Sequence, residues 1–227
     1  MDKRVGFVCF GEVNTPIERL QMKHDEALGV LKDMGYDLLD AGLVIDDEKY
    51  ATADAAAEKL RGFDMCCLVV CVAGWVPTHA VIRVTDQYRH IPMLLWGLCG
   101  WKENGRIITT AEQAGTSAIR PTFEALGYDF KYVYNIIGKD YPRAKLDAFI
   151  SACAARRALR DARVGTMGYR DMLLFGTQYE GNSMRGQLGV EVQHGNSSSE
   201  KLSLKEYSSR SKPSSSAPPK GRSPCAQ

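Results

Sequence analysis

The run "DMCCLVVCVAG" at residues 64–74 decides how this chain folds. It is almost wholly apolar, β-branched in its middle and closed by a glycine, and it is too short for a membrane span. A strand with one wet face alternates apolar and polar residues, whereas a strand covered on both faces reads as a continuous apolar run. Residues 64–74 are of the second kind, and so is "PMLLWG" at 92–97. Three further runs, "RVGFVCF" (4–10), "YDLLDAGLV" (36–44) and "FKYVYNIIG" (130–138), complete a set of five.

Amphipathic segments separate these runs. Ile17, Leu20, Ala27, Leu28 and Leu31 recur near helical spacing, with Pro16 suited to the first turn and Gly35 to the stop. Residues 50–60 are alanine-rich and precede Gly62, and Thr109 or Thr110 is placed to cap a helix ending at Gly127. Leu146, Phe149, Ile150 and Cys153 form another stripe, beginning from Tyr141. Fivefold alternation of strand and helix predicts an α/β fold with a doubly wound parallel sheet, helices on both faces and right-handed crossovers. The expected strand order is the flavodoxin-like 2-1-3-4-5.

Residues 1–162 are read as this first domain. Residues 163–193 start a second α/β unit, with a strand at 163–169, a loop and short helix in "YEGNSMRGQLG", and a strand in "VEVQ". From His194 to the end, 11 of 34 residues are serine and four are proline, a composition that does not pack a core. Residues 163–193 therefore read as a second domain begun and not finished. The tail at 194–227 is expected to be disordered, as a frameshifted or alternative end or as a linker.

Charge and cysteine usage narrow the function classes. The net charge of +2 hides a tail carrying six Lys/Arg against two Glu, so the remaining residues are slightly acidic and suggest no nucleic acid partner. Seven cysteines occur without a C-x-x-C pair, and the buried ones are expected to act as small hydrophobes. No signal peptide is recognised, no apolar run is long enough for a membrane span, and a reducing cytoplasm is the expected compartment.

Phosphate and nucleophile motifs fail on inspection. "GWKENGRI" (100–107) has P-loop glycine spacing, but Arg106 and Ile107 stand where Lys and Ser/Thr are needed. No G-x-G-x-x-G follows the first strand and no G-x-S-x-G occurs. His79 and His90 are eleven residues apart, unsuited to one metal, and His24 reads as a mid-helix surface or core residue. No catalytic residue and no metal ligand set is assigned within residues 1–193.

The crevice at the strand-order reversal remains, between strands 1 and 3 outside their carboxyl ends. The loop at 11–16 offers Glu12 and Asn14, and the loop at 74–79 offers Trp75, Thr78 and His79. A ring face beside amide and carboxylate groups suits a polyol, whose C–H face packs on the ring while its hydroxyls hydrogen-bond. The plainer reading has Trp75 capping the core and Asn14 serving as a helix N-cap. Gly74 would let the chain leave the strand sharply, and Pro77 would fix the start of the next helix.

Four stretches, "CVAGWVPTHAVIR" (71–83), "MLLWGLCGW" (93–101), "RVGTMGYRDM" (163–172) and "GTQYEGNSMRGQLGVEVQ" (176–193), resemble the amino-terminal part of the L-fucose/L-arabinose isomerase family. The resemblance covers about residues 3–193. It implies a homo-oligomeric aldose–ketose isomerase dependent on manganese or another divalent metal, with sugar substrates. It also implies that groups of the first domain, here the 11–16 loop and Trp75, reach the active site of a neighbouring subunit. The family's metal ligands lie in later domains, so this chain is expected to be inactive alone and to hold no cofactor itself. The alternative is a non-catalytic α/β ligand-binding or assembly module.

Overall fold

The structure, a computed structural model, describes residues 2–167 and 171–195; of the tail expected to be disordered from 194, His194 and Gly195 instead pair with Thr166 and Met167 at the end of a strand, and residues 196–227 lie outside the described residues. The described residues fall into two compact units that divide between Leu159 and Arg160.

In the first unit, β1 (Arg4–Phe10), β2 (Asp37–Val44), β3 (Cys67–Val72), β4 (Met93–Gly97) and β7 (Phe130–Tyr134) form one sheet in the order β2-β1-β3-β4-β7. Every neighbouring pair is parallel, as in β1 against β3, where Val5 faces Cys67 and Phe10 faces Val72. The fold is flavodoxin-like. Period-two alternation divides the core. Val5, Phe7, Cys9, Cys67, Val69, Cys71, Leu94 and Trp96 point to one face, and Val8, Phe10, Leu68, Val70, Val72, Met93 and Leu95 to the other. The first face is covered by α1 (Ile17–Asp33) through Leu20, Ala27, Leu28 and Leu31, and by α5 (Arg143–Asp161) through Leu146, Ile150 and Cys153. The second is covered by α2 (Ala51–Leu60), α3 (Thr78–Thr85) and α4 (Glu112–Ala125). Burial on both sides is why 64–74 and 92–97 carry no polar alternation. Cys9, Cys66, Cys67, Cys71 and Cys153 are free and buried.

Several expected boundaries move. The apolar run at 130–138 ends as a strand at Tyr134, and Gly138 turns the chain at φ +74°. Pro16 and Pro77 precede α1 and α3 as N-caps, so Asn14 does not cap α1 and the Thr78–His79 pair lies inside α3. Neither Thr109 nor Thr110 caps α4; Ala111 does, at φ +57°. Between β4 and α4 the chain makes a hairpin of β5 (Trp101–Glu103) and β6 (Arg106–Ile108). Its turn residues, Asn104 at φ +50° and Gly105 at φ +76°, take the left-handed pair that favours Asn-Gly.

In the second unit, β8 (Arg163–Met167) and β9 (Glu191–Gly195) pair in parallel, with α6 (Gly181–Leu188) between them in sequence. The Glu180 carboxylate caps α6 by accepting from the Asn182 and Ser183 amides, and Gly189 ends the helix at φ +82°. The expected strand at 163–169 is seen to Met167, and the next residues lie outside the described set. Met172, Leu173, Leu174 and Phe175 are exposed. No helix among the described residues is long and apolar enough to cross a membrane.

Candidate functional site

The reversal of strand order falls between β1 and β3, and both strands end there in a fixed frame. The amides of Ala73 and Gly74 donate to the Phe10 carbonyl at 2.8 and 3.3 Å. The Trp75 amide donates to the Thr110 carbonyl at 2.7 Å. Gly74 avoids the left-handed region, so its backbone freedom is not what the turn uses. Close approach is the reason, because a Cβ there would lie 2.9 Å from Leu20 Cδ2 and 3.4 Å from the Thr110 carbonyl oxygen. Leu20 from α1 thus fills the floor between the two turns, and the segment before α4 closes over it.

The two residues after Gly74 part company. Val76 is 1% exposed and joins the core, while Trp75 is 38% exposed. Trp75 thus keeps more than a third of its surface open at the turn. Glu12 is half-buried and accepts from the Thr15 hydroxyl at 3.3 Å, and Asn14 is exposed. The 11–16 loop is tied to the loop after β2, since the Val13 amide donates to Asp46 Oδ1 at 2.7 Å. His79 is exposed in the first turn of α3, where its ring meets Tyr50 edge to face at 5.5 Å and 87°. No hydrogen bond, ion pair or ring contact joins any two of Glu12, Asn14, Trp75 and His79 among the described residues. They form an open rim around the carboxyl ends rather than a closed pocket. Two open concavities lie elsewhere, one of about 590 Å³ lined by residues including Tyr179, Arg185 and Glu191, and one of about 490 Å³ lined by residues including Arg120, Tyr128 and Tyr132.

Comparison with protein-family models and with curated proteins gives no match to this chain.

Beneath the rim lies a polar cluster that the sequence reading did not single out. Lys23 and Glu112 form a buried ion pair, their side chains 4% and 0% exposed, with Nζ 3.1 Å from Oε1. That contact is ionic and lacks hydrogen-bond alignment, which leaves Oε1 with no hydrogen-bond donor among the described residues. Oε2 is well served, at 2.9 Å each from the Thr109 hydroxyl, the Thr110 hydroxyl and the Thr110 amide. Lys23 also donates to Thr110 Oγ1 at 3.1 Å. Burial works to raise the Glu112 carboxyl, but its own backbone amide, the Lys23 charge and the Thr109 hydroxyl outweigh it and hold the group below the ordinary carboxylate range. Above the pair, Trp101 of the hairpin lies 5.0 Å from the Arg19 guanidinium and 5.5 Å from Lys23 Nζ, and Arg19 meets Glu103 at 2.6 Å. The "GWKENGRI" stretch thus straps α1 through Trp101 and Glu103.

His24, next to Lys23 on α1, is a core residue. Its Nδ1 lies 2.8 Å from Asp25 Oδ1 and its Nε2 3.1 Å from Asp40 Oδ1, so both ring nitrogens face carboxylates. Burial disfavours the charge, but the hydrogen bonds to Asp40 and Asp25 prevail and push the imidazole up to about 9. A raised folded value means the stabilisation is complete below the unfolded value of 6.5 and is lost as pH rises through about 9. His24→Gln is accordingly expected to cost on the order of 2 kcal/mol at pH 6 and far less at pH 9.5. Urea unfolding of both proteins at the two pH values checks this; an equal difference at both would mean that His24 is held neutral.

Among the described residues no three His, Cys, Asp or Glu side chains converge to hold a metal.

Proposed function

We propose that this chain is the amino-terminal part of a sugar isomerase of the L-fucose/L-arabinose type, supplying substrate lining and oligomer contacts rather than reacting groups. The observation that supports this reading is Trp75, an exposed ring on a turn whose backbone is fixed by Phe10 and Thr110. An aromatic face carried on a fixed turn, with a carboxylate, an amide and an imidazole on the same rim, is suited to a polyol's C–H face and hydroxyls. Aldose–ketose isomerisation needs an electrophile to polarise the carbonyl and a base to move a proton. Neither role is assigned to a rim residue, and the contribution of the rim in this reading is to orient and cover the sugar in an assembly that brings those groups.

The test uses L-fucitol and L-arabinitol titrated into the full chain, followed by the Trp75 indole resonance and, in both wild type and Trp75→Ala, by the backbone amide resonances of residues 74–76 and 78–79. Either polyol is expected to shift that resonance, and Trp75→Ala is expected to weaken binding by about 1–3 kcal/mol, the range for aromatic stacking, with Tm nearly unchanged. The chain alone is expected to show no turnover of L-fucose or L-arabinose with manganese. A Tm collapse in Trp75→Ala, with binding normal in the folded fraction, would make the ring a structural lid. The separation of the four rim residues favours a second reading, a non-catalytic binding or assembly module. Absence of any polyol effect would select it.

A further inference from the structure

Tyr50 stands immediately before α2 at φ +55°, a left-handed conformation that a bulky side chain enters only under strain. The turn itself does not ask for tyrosine. Its amide donates to the Asp47 carbonyl at 2.9 Å, and the Asp47 carboxylate takes the amides of Lys49, Ala51 and Thr52. The Tyr50 side chain makes no capping hydrogen bond, and glycine would meet the backbone requirement better.

The ring has a different role. It packs against the core cluster on the α2–α3 face of the sheet and lies against two side chains of α3. The Arg83 guanidinium is 4.8 Å from its centroid, and the His79 ring meets it at 5.5 Å and 87°. His79 and Arg83 are four residues apart and so share one face of α3. Arg83 is held in turn by Asp54 of α2, through Nε at 2.7 Å and Nη2 at 2.9 Å. A bidentate fork of this kind fixes the guanidinium plane. Asp54, Arg83, Tyr50 and His79 thus form a continuous stack from α2 to the rim.

We propose that Tyr50 is a positioning residue: its ring fixes the exposed imidazole of His79 at the β1–β3 rim, so that His79 meets a polyol hydroxyl without first being ordered. This rests on the sugar reading above. The strain at residue 50 is retained because the ring's placement depends on it.

The experiment is NMR on the full chain, comparing wild type with Tyr50→Gly and Tyr50→Phe. Glycine suits the positive φ, so the first variant deletes the ring while keeping the turn, and the second keeps the ring without its hydroxyl. In wild type and Tyr50→Phe the His79 ring protons are expected to show the same displaced shifts; in Tyr50→Gly they should move to the values of a free histidine. Titrated L-fucitol or L-arabinitol should bind Tyr50→Gly about three- to tenfold more weakly, the factor for freeing one immobilised side chain, with Tyr50→Phe close to wild type. Unmoved His79 shifts in Tyr50→Gly, or unchanged polyol affinity in that variant, would overturn the positioning role while leaving the sugar reading standing. No polyol response in wild type would overturn the sugar reading, and with it the hydroxyl role given to His79.

Discussion

Replacing Glu112 with alanine is expected to lower the unfolding free energy by about 3–5 kcal/mol, the range for removing one partner of a buried ion pair. The cost arises from what is left behind. Lys23 would be left at 4% side-chain exposure without its carboxylate partner, with Thr110 Oγ1 as its one hydrogen-bond acceptor among the described residues. The double variant Lys23→Met, Glu112→Leu removes both charges and should recover most of the loss, because desolvation penalties vanish together with the attraction. Urea denaturation of the two single variants and the double variant gives the coupling directly. Acid should act on the same pair. A carboxyl held below its ordinary value contributes stability above the unfolded value of 4.5 and loses it as pH falls through the folded value. A cost below about 1 kcal/mol for Glu112→Ala would mean that water reaches the pair and shares its charge.

Trp96→Ala should cost a similar amount, about 3–5 kcal/mol, through an empty volume instead of a stranded charge. Trp96 is fully buried on β4, meets Tyr141 edge on at 6.1 Å and 82°, and donates its indole N–H to Asn135 Oδ1 at 2.9 Å. Trp96→Phe should cost less, about 1–2 kcal/mol, because the half-buried Asn135 can turn to solvent for a partner. Trp75→Ala is the internal control. The same residue type at 38% exposure should stay within about 1 kcal/mol of wild type. Thermal and urea unfolding of the three variants checks the ordering, and equal losses for Trp96→Ala and Trp75→Ala would mean that the rim tryptophan is structural.

The central sheet was legible because its strands are buried on both faces. Residues 64–74 and 92–97 carry no polar alternation, and β3 and β4 are buried at every position. Right-handed crossovers left few strand orders, and the flavodoxin-like order expected among them is the one the sheet adopts. The hairpin was less visible, since strands of three residues carry too little periodicity to read. Its Asn104-Gly105 pair is nonetheless a hairpin signal, obscured when the surrounding glycines are weighed as a phosphate loop. Lys23 and His24 also left a trace, two ionisable residues within the apolar stripe formed by Leu20, Ala27, Leu28 and Leu31. Thr109 and Glu112 stand at capping-box spacing, yet both threonine hydroxyls turn to the buried carboxylate. Spacing identifies that the two residues interact and not which of them is the acceptor. At the rim, topology placed the loops of Glu12, Asn14, Trp75 and His79 around two strand ends. Tyr50 was not recoverable, because a left-handed tyrosine has no sequence signature.

The strand order also bears on events during synthesis. β1 leaves the ribosome first yet lies at the inside of the sheet, and its neighbour β3 arrives only with residues 67–72. From β3 onward the sheet grows outward in the order of translation, through β4 and then β7. A nascent chain that has reached Gly97 therefore ends in a fresh apolar edge, "MLLWG", that β7 will pair with only when residues 130–134 emerge. At about 5–20 residues per second that interval lasts a few seconds. Throughout it Trp96 lacks Asn135 and Tyr141, and an unpaired strand of this kind is where neighbouring nascent chains stick. A slow stretch of translation placed before β7 should therefore lower the yield of soluble protein, whereas the same pause placed after residue 134 should not.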